Sequence, residues 1–124
     1  MKLAMAIMLG LSACMTAEAS PAELKKDMHF LSARKMLLKD KWIPVNVHLH
    51  DNYALIGVEH ELSSNKINEF ESCTIDYSNC IMHYKRLDQC LTVYTIGEHP
   101  NIMKIVSWSD ACPGSTSPSP SSKQ

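Results

Sequence analysis

The chain predicts an α+β domain in which an N-terminal helix, with a weaker second helix, packs on a three- to four-stranded antiparallel meander. Three observations predict it: an amphipathic run after residue 20, alternating apolar segments in the C-terminal half, and four cysteines among those segments. Of the five cysteines, Cys14 stands alone, while Cys73, Cys80, Cys90 and Cys112 form an even set that suits an oxidising compartment.

Residues 1–19 read as an export signal. Lys2 is the charged start, Leu3 to Leu11 the apolar run, and small residues follow. The run is about half of the ~20 residues a spanning helix needs. Two processing outcomes compete. Leu11-Ser12-Ala13-Cys14 resembles a lipobox, which would make Cys14 a lipidated N-terminus and would place the protein at the outer membrane. Ala17-Glu18-Ala19 is instead a cleavage site for ordinary signal peptidase, releasing a soluble domain from Ser20. A retained N-terminal helix with a structural Cys14 is the third possibility. Residues 20–112 then form one domain, and residues 113–124, rich in serine and proline, form a disordered tail.

Ser20-Pro21-Ala22-Glu23 has the N-cap serine, first-turn proline and third-position glutamate of a helix start. Leu24, Met28, Leu31 and Leu38 follow at helical spacing, so this helix is expected to reach Asp40, with Pro44 stopping it. Val45, Val47 and Leu49 alternate with Asn46, His48 and His50, which predicts a short extended segment or edge strand. Asn52–Ser63 predicts the second helix, capped by Asp51 and weakened by Gly57.

The meander follows as Ile67–Thr74, Cys80–Arg86, Cys90–Ile96 and Ile102–Trp108. A two-residue turn at Leu87-Asp88 sets Arg86 opposite Gln89, Tyr84 opposite Leu91 and Met82 opposite Val93, which puts the apolar side chains on one face. Gly97 to Asn101 make the next loop. Cysteine count alone leaves three connectivities open. The strand layout favours Cys73–Cys80 closing a hairpin and Cys90–Cys112 joining the third strand to the end of the fourth, with Cys90 near Trp108.

A net charge of −1 argues against nucleic acid and against a basic membrane patch, leaving a lipid on Cys14 as the one membrane contact. On a strand, His48 and His50 would point the same way, a spacing that suits a metal. The competing expectation is two solvated histidines and no cofactor. Glu69 and Glu71 flank Phe70 and read as the solvated side of a strand rather than a catalytic pair. No motif requires an enzyme, and a small hydrolase is the least favoured reading. Tyr94, Val106 and Trp108 are expected to share the second sheet face as a partner-binding strip.

The order of motifs also resembles a loose class of small exported bacterial proteins and lipoproteins to which no activity attaches. The residues concerned are A-R-K-M-L-L-K-D-K-W-I-P, then E-S-C, C-I-M-H-Y, C-L-T-V-Y-T-I-G-E and W-S-D-A-C-P, spanning 33–113. In architecture alone the chain is similar to SmpA/OmlA-type lipoproteins and to beta-lactamase-inhibitor-protein domains. The leading expectation from the export signal, cysteines and sheet face is a non-enzymatic envelope protein of accessory, inhibitor or immunity type, in the periplasm, with another envelope protein as partner. The alternative is a periplasmic metal-binding protein using His48 and His50.

Overall fold

The computed structural model describes Gly10 and residues 23–114. It is an α+β fold with two helices on an open five-stranded antiparallel sheet. The order along the chain is α1 (Phe30–Lys39), β1 (Ile43–Pro44), α2 (Val58–Ser64), β2 (Phe70–Cys73), β3 (Asn79–Arg86), β4 (Gln89–Ile96) and β5 (Lys104–Ser109). The central hairpin takes the expected register, with Met82 opposite Val93, Tyr84 opposite Leu91 and Arg86 opposite Gln89. β5 lines the far side of β4. β1 and β2 lie end to end along the other side of β3, where Pro44 pairs with Tyr84 and Phe70 with Met82.

Helix α1 starts nine residues later than its capping-box sequence suggests. Residues 27–30 serve the sheet instead: Asp27 N donates to Ile105 O, Ile105 N to Met28 O, and Phe30 N to Met103 O. Asp27 takes a positive φ of 68°, which ends any helix before it. Three backbone bonds to the edge of β5 outweigh a local cap signal. Ser20 to Ala22 lie outside the described residues, as do residues 115–124 of the expected tail.

Both helices stop in the same way. After α1, Trp42 N donates to Leu37 O and Lys41 N to Leu38 O. After α2, Ile67 N donates to Leu62 O and Lys66 N to Ser63 O. These are paired Schellman closures, with lysines at φ 71° and 60° in the left-handed position usually given to glycine. Each closure turns an apolar residue, Trp42 or Ile67, back into the core against the last turn. The first helix therefore ends before Pro44 rather than because of it. Gly57 stands at the N-cap of α2 rather than inside it, so α2 begins six residues after the expected Asn52.

Phe30, Ala33 and Leu37 of α1 and Val58 and Leu62 of α2 meet Met82, Tyr84, Leu91, Val93 and Ile105 in one buried cluster. The helices thus cover one sheet face. Two disulfides, Cys73–Cys80 and Cys90–Cys112, close the β2–β3 hairpin and tie β4 to the segment after β5. At Gly97, with φ 144°, a β-carbon would stand 2.7 Å from Met103 Cα, so the β4–β5 loop requires glycine there. Replacing Gly97 with alanine is expected to lower unfolding free energy by about 1–3 kcal/mol. Replacing Lys41 with glycine should raise it by up to about 1 kcal/mol by relieving the left-handed backbone. Denaturant titration of the oxidised protein measures both.

Candidate functional site

Residues 45–51 leave the sheet after Val45 N donates to His83 O, because β2 occupies the rest of that β3 edge. His48 and His50 are therefore in turns rather than on a strand, which corrects the expected parallel pair. His50 is exposed. His48 is held: its Nδ1 lies 2.9 Å from Asp51 Oδ2, its Nε2 2.7 Å from Glu71 O, and its ring stacks on Tyr53 at 3.8 Å. Burial pulls the His48 imidazolium down, but the Asp51 carboxylate and the Glu71 carbonyl outweigh it and hold the pKa above its ordinary value. Asp51 moves the other way, lowered chiefly by its hydrogen bond to His48. With both ring nitrogens engaged, His48 presents no lone pair to a metal. Among the described residues no three His, Cys, Asp or Glu side chains gather as a metal site.

The carboxylates hold the largest departures from the sequence reading. Glu69, expected on a solvated face, is 1% exposed. Its Oε2 accepts from Arg34 Nε and from the Tyr84 hydroxyl, each at 2.6 Å, tying α1 to β3. Burial first, and then the Glu69 charge, push the Tyr84 hydroxyl well above its usual pKa. Glu59 has no exposed surface. It accepts from Tyr53 Oη at 2.8 Å, Ile56 N at 2.9 Å and Cys73 N at 2.7 Å, joining the first turn of α2, the preceding loop and β2. Burial and this bond to Glu59 lift the Tyr53 hydroxyl to about 12. No local pattern separates these two acids from the exposed glutamates. The deciding donors are tertiary: Cys73 N lies fourteen residues from Glu59, and Tyr84 and Arg34 lie fifteen and thirty-five from Glu69.

Glu71 faces the other way. Its Oε1 lies 2.7 Å from His83 Nε2, and His83 Nδ1 lies 3.0 Å from Thr92 Oγ1, which donates to Ala111 O at 2.7 Å. An acid, an imidazole and a hydroxyl in line could activate that hydroxyl in principle. Here Thr92 is 1% exposed and its proton is committed to the Ala111 carbonyl, so no substrate reaches it in this arrangement. Two of the surface clefts among the described residues lie elsewhere. One, of about 430 Å³, contains Arg34 and Glu61, whose charges are already met by Glu69 and His99. The other, of about 730 Å³, lines the outer side of α1 with Lys35, Lys39 and Asp40.

The expected partner strip is split by a β-bulge. Trp108 pairs directly with Val93 and packs against the core, whereas Tyr94 pairs with Ser107 on the opposite face. Val106 is the extra residue of the bulge, half-buried and outside the core cluster. Trp108 faces Val93 and Ser109 faces Thr92, so Cys90 lies three residues along β4 from the partner of Trp108 rather than opposite it. The second face is formed instead by Tyr94, Ile81 across from it, Ile96 and Val106. At the same end, the Cys73–Cys80 hairpin carries Ile75 and Tyr77, 73% and 70% exposed. Sequence reasoning missed these two because they sit inside a turn. Cys14 lies outside the described residues. No protein-family model matches this chain, and no curated protein or solved structure is detectably similar to it.

Replacing Glu59 with leucine strands three donors in the interior and is expected to cost at least about 3 kcal/mol, whereas glutamine, which keeps one carbonyl, should cost about half of that. Chemical denaturation compares the two. The His48–Asp51 contact should contribute fully below the ordinary histidine pKa of about 6.5 and fade as pH rises through the raised folded value. It should weaken again where acid protonates Asp51, below the lowered carboxylate value. Melting temperature from pH 5.5 to 8.5 should therefore fall less steeply in His48→Gln than in the wild type.

Proposed function

We propose that this chain is an exported, non-enzymatic envelope protein that acts by binding another protein through its open sheet face. The observation that carries this reading is the gathering, at one end of the sheet, of half-buried Tyr94 and Ile81, exposed Ile96 and the exposed hairpin residues Ile75 and Tyr77. The other sheet face is filled by both helices, so this one is where apolar side chains remain in reach of solvent. The tip is pre-organised. A disulfide closes its base, Thr74 N donates to Asn79 O, and Asn79 N donates to Thr74 Oγ1. A rigid loop loses little freedom on docking, and exposed tyrosines are frequent binding anchors.

Two disulfides, and the lack among the described residues of any helix long and apolar enough to cross a membrane, fit an exported protein. Placement in the periplasm, and attachment to the outer membrane through a lipid on Cys14, belong to the same proposal. They rest on the N-terminal sequence alone. An accessory, inhibitor or immunity role would each use the same surface.

Photo-crosslinkers placed at Tyr94 and Tyr77 in intact cells test the reading. Both sites should capture one common protein, and Ile75→Asp should reduce capture at Tyr94. Capture from a control site on the outer side of α1, such as Lys35, at equal yield would contradict it, as would failure of both face positions. Intact mass of the recovered protein reports lipid on Cys14 or a start at Ser20, together with the four hydrogens lost to two disulfides.

A further inference from the structure

We infer that the outer side of α1 is a membrane-apposed face, whose lysines take the phosphates of anionic phospholipid headgroups. The inference adds a second surface to the proposed function and does not depend on which protein docks at the open sheet face.

The net charge of −1 conceals a segregation along the chain. Residues 23–41 hold six Lys or Arg against three acids, whereas residues 42–114 hold four against nine. Helix α1 itself, FLSARKMLLK, contains no acid. Its Arg34 is turned inward to Glu69, and Asp40, just past its end, is met by Arg86 at 2.8 Å. The cations left in this segment are Lys25, Lys26, Lys35, Lys39 and Lys41. All are exposed, and among the described residues none of them is in an ion pair. Glu23 and Asp27 remain as the opposing acids.

Lys35 and Lys39, one helical turn apart, line the larger cleft along α1 together with Glu23, Ser32, Met36 and Asp40. Leu31 and Leu38, 40% and 39% exposed, stand one turn before and after Lys35 on the same side of the helix. Lysines set among apolar side chains suit a bilayer interface. The ammonium groups meet the phosphates, while the methylene stems and leucines lie against the apolar boundary. The chain also enters from the correct side. Glu23, which lines the cleft, is nine residues after Cys14, a reach of at most about 30 Å, so an anchor on Cys14 would bring these lysines to headgroup level. Because the helices fill one sheet face, a bilayer outside α1 leaves the open face directed towards water. The acid-rich remainder of the chain is repelled by the same anionic surface, which fixes the orientation.

Vesicle flotation tests this. The full oxidised chain carrying Cys14→Ser, so that no lipid is attached, is mixed with vesicles of phosphatidylcholine alone or of phosphatidylcholine with phosphatidylglycerol. Binding should be stronger to the anionic vesicles and should fall with added salt. Lys35→Gln combined with Lys39→Gln should weaken it at least about tenfold, from roughly fivefold for each lysine near an anionic surface. Lys85→Gln combined with Lys104→Gln removes the same charge from the sheet and should change binding less than about twofold. Whatever residues 1–22 contribute is common to all three proteins, so the comparison reads the helix face. Equal binding to both kinds of vesicle would overturn the proposal. So would equal losses in the two double variants, which would mean attraction by total charge rather than by this face. Crosslinking from Tyr94 and Tyr77 reads the protein-binding face separately, so either reading can fail alone.

Discussion

The Glu69 carboxylate, buried at the seam between helix and sheet, must be met by donors, and it draws them from two elements at once. Arg34 comes from α1 and Tyr84 from the middle of β3, so the charge is satisfied only when the helix sits at one height and rotation on the sheet. Apolar packing alone would tolerate a slide of the helix along Met82, Leu91 and Val93, since dispersion contacts have little direction. A buried charge does not tolerate it, because a lost partner leaves a desolvated ion. Glu59 applies the same constraint at the other helix, fastening α2 and its preceding loop to the backbone of Cys73.

These anchors divide the labour of the two sheet faces. One face is closed by helices and fixed by two buried acids. The other carries a short polar cluster of Glu71, His83 and Thr92, with Thr92 bonded to Ala111 O, and the partly exposed Ile81, Tyr94 and Ile96. The disulfides follow the same division. Cys73 and Cys80 are buried, 4% and 1% exposed, whereas Cys112 is exposed on the open side. The inner bridge stiffens the hairpin that displays Ile75 and Tyr77, and the outer one ties β4 to the segment after β5.

Much of this was legible where the information is local. Met82, Tyr84, Leu91 and Val93 alternate about a two-residue turn, and that alternation fixes the hairpin register; the cysteine pairing follows from it. Three features were hidden for physical reasons. The helix-start signal at Ser20 is real, yet the β5 edge claims residues 27–30 first. Counting by twos fails beyond the Val106 bulge, which turns Trp108 inward and breaks up the expected strip. Lysine in a left-handed closure looks like any exposed lysine, so the form of the closures was invisible, although the expected helix ends at Asp40 and Ser63 fall within one residue of those observed. The site was less legible than the fold: Glu69 and Glu71 look alike in sequence, but one is buried beneath α1 and the other pairs with His83 at the surface. Contacts twelve, fifteen and thirty-five residues apart distinguish them.

The most direct measurement of the helix-docking constraint is a double-mutant cycle between Glu69→Gln and Arg34→Met, read by equilibrium denaturation of the oxidised protein. If Glu69 is the shared anchor, the two costs should fail to add, with a coupling of at least about 1 kcal/mol. Additivity within about 0.5 kcal/mol would mean that the helix is held by apolar packing alone, and would contradict the account.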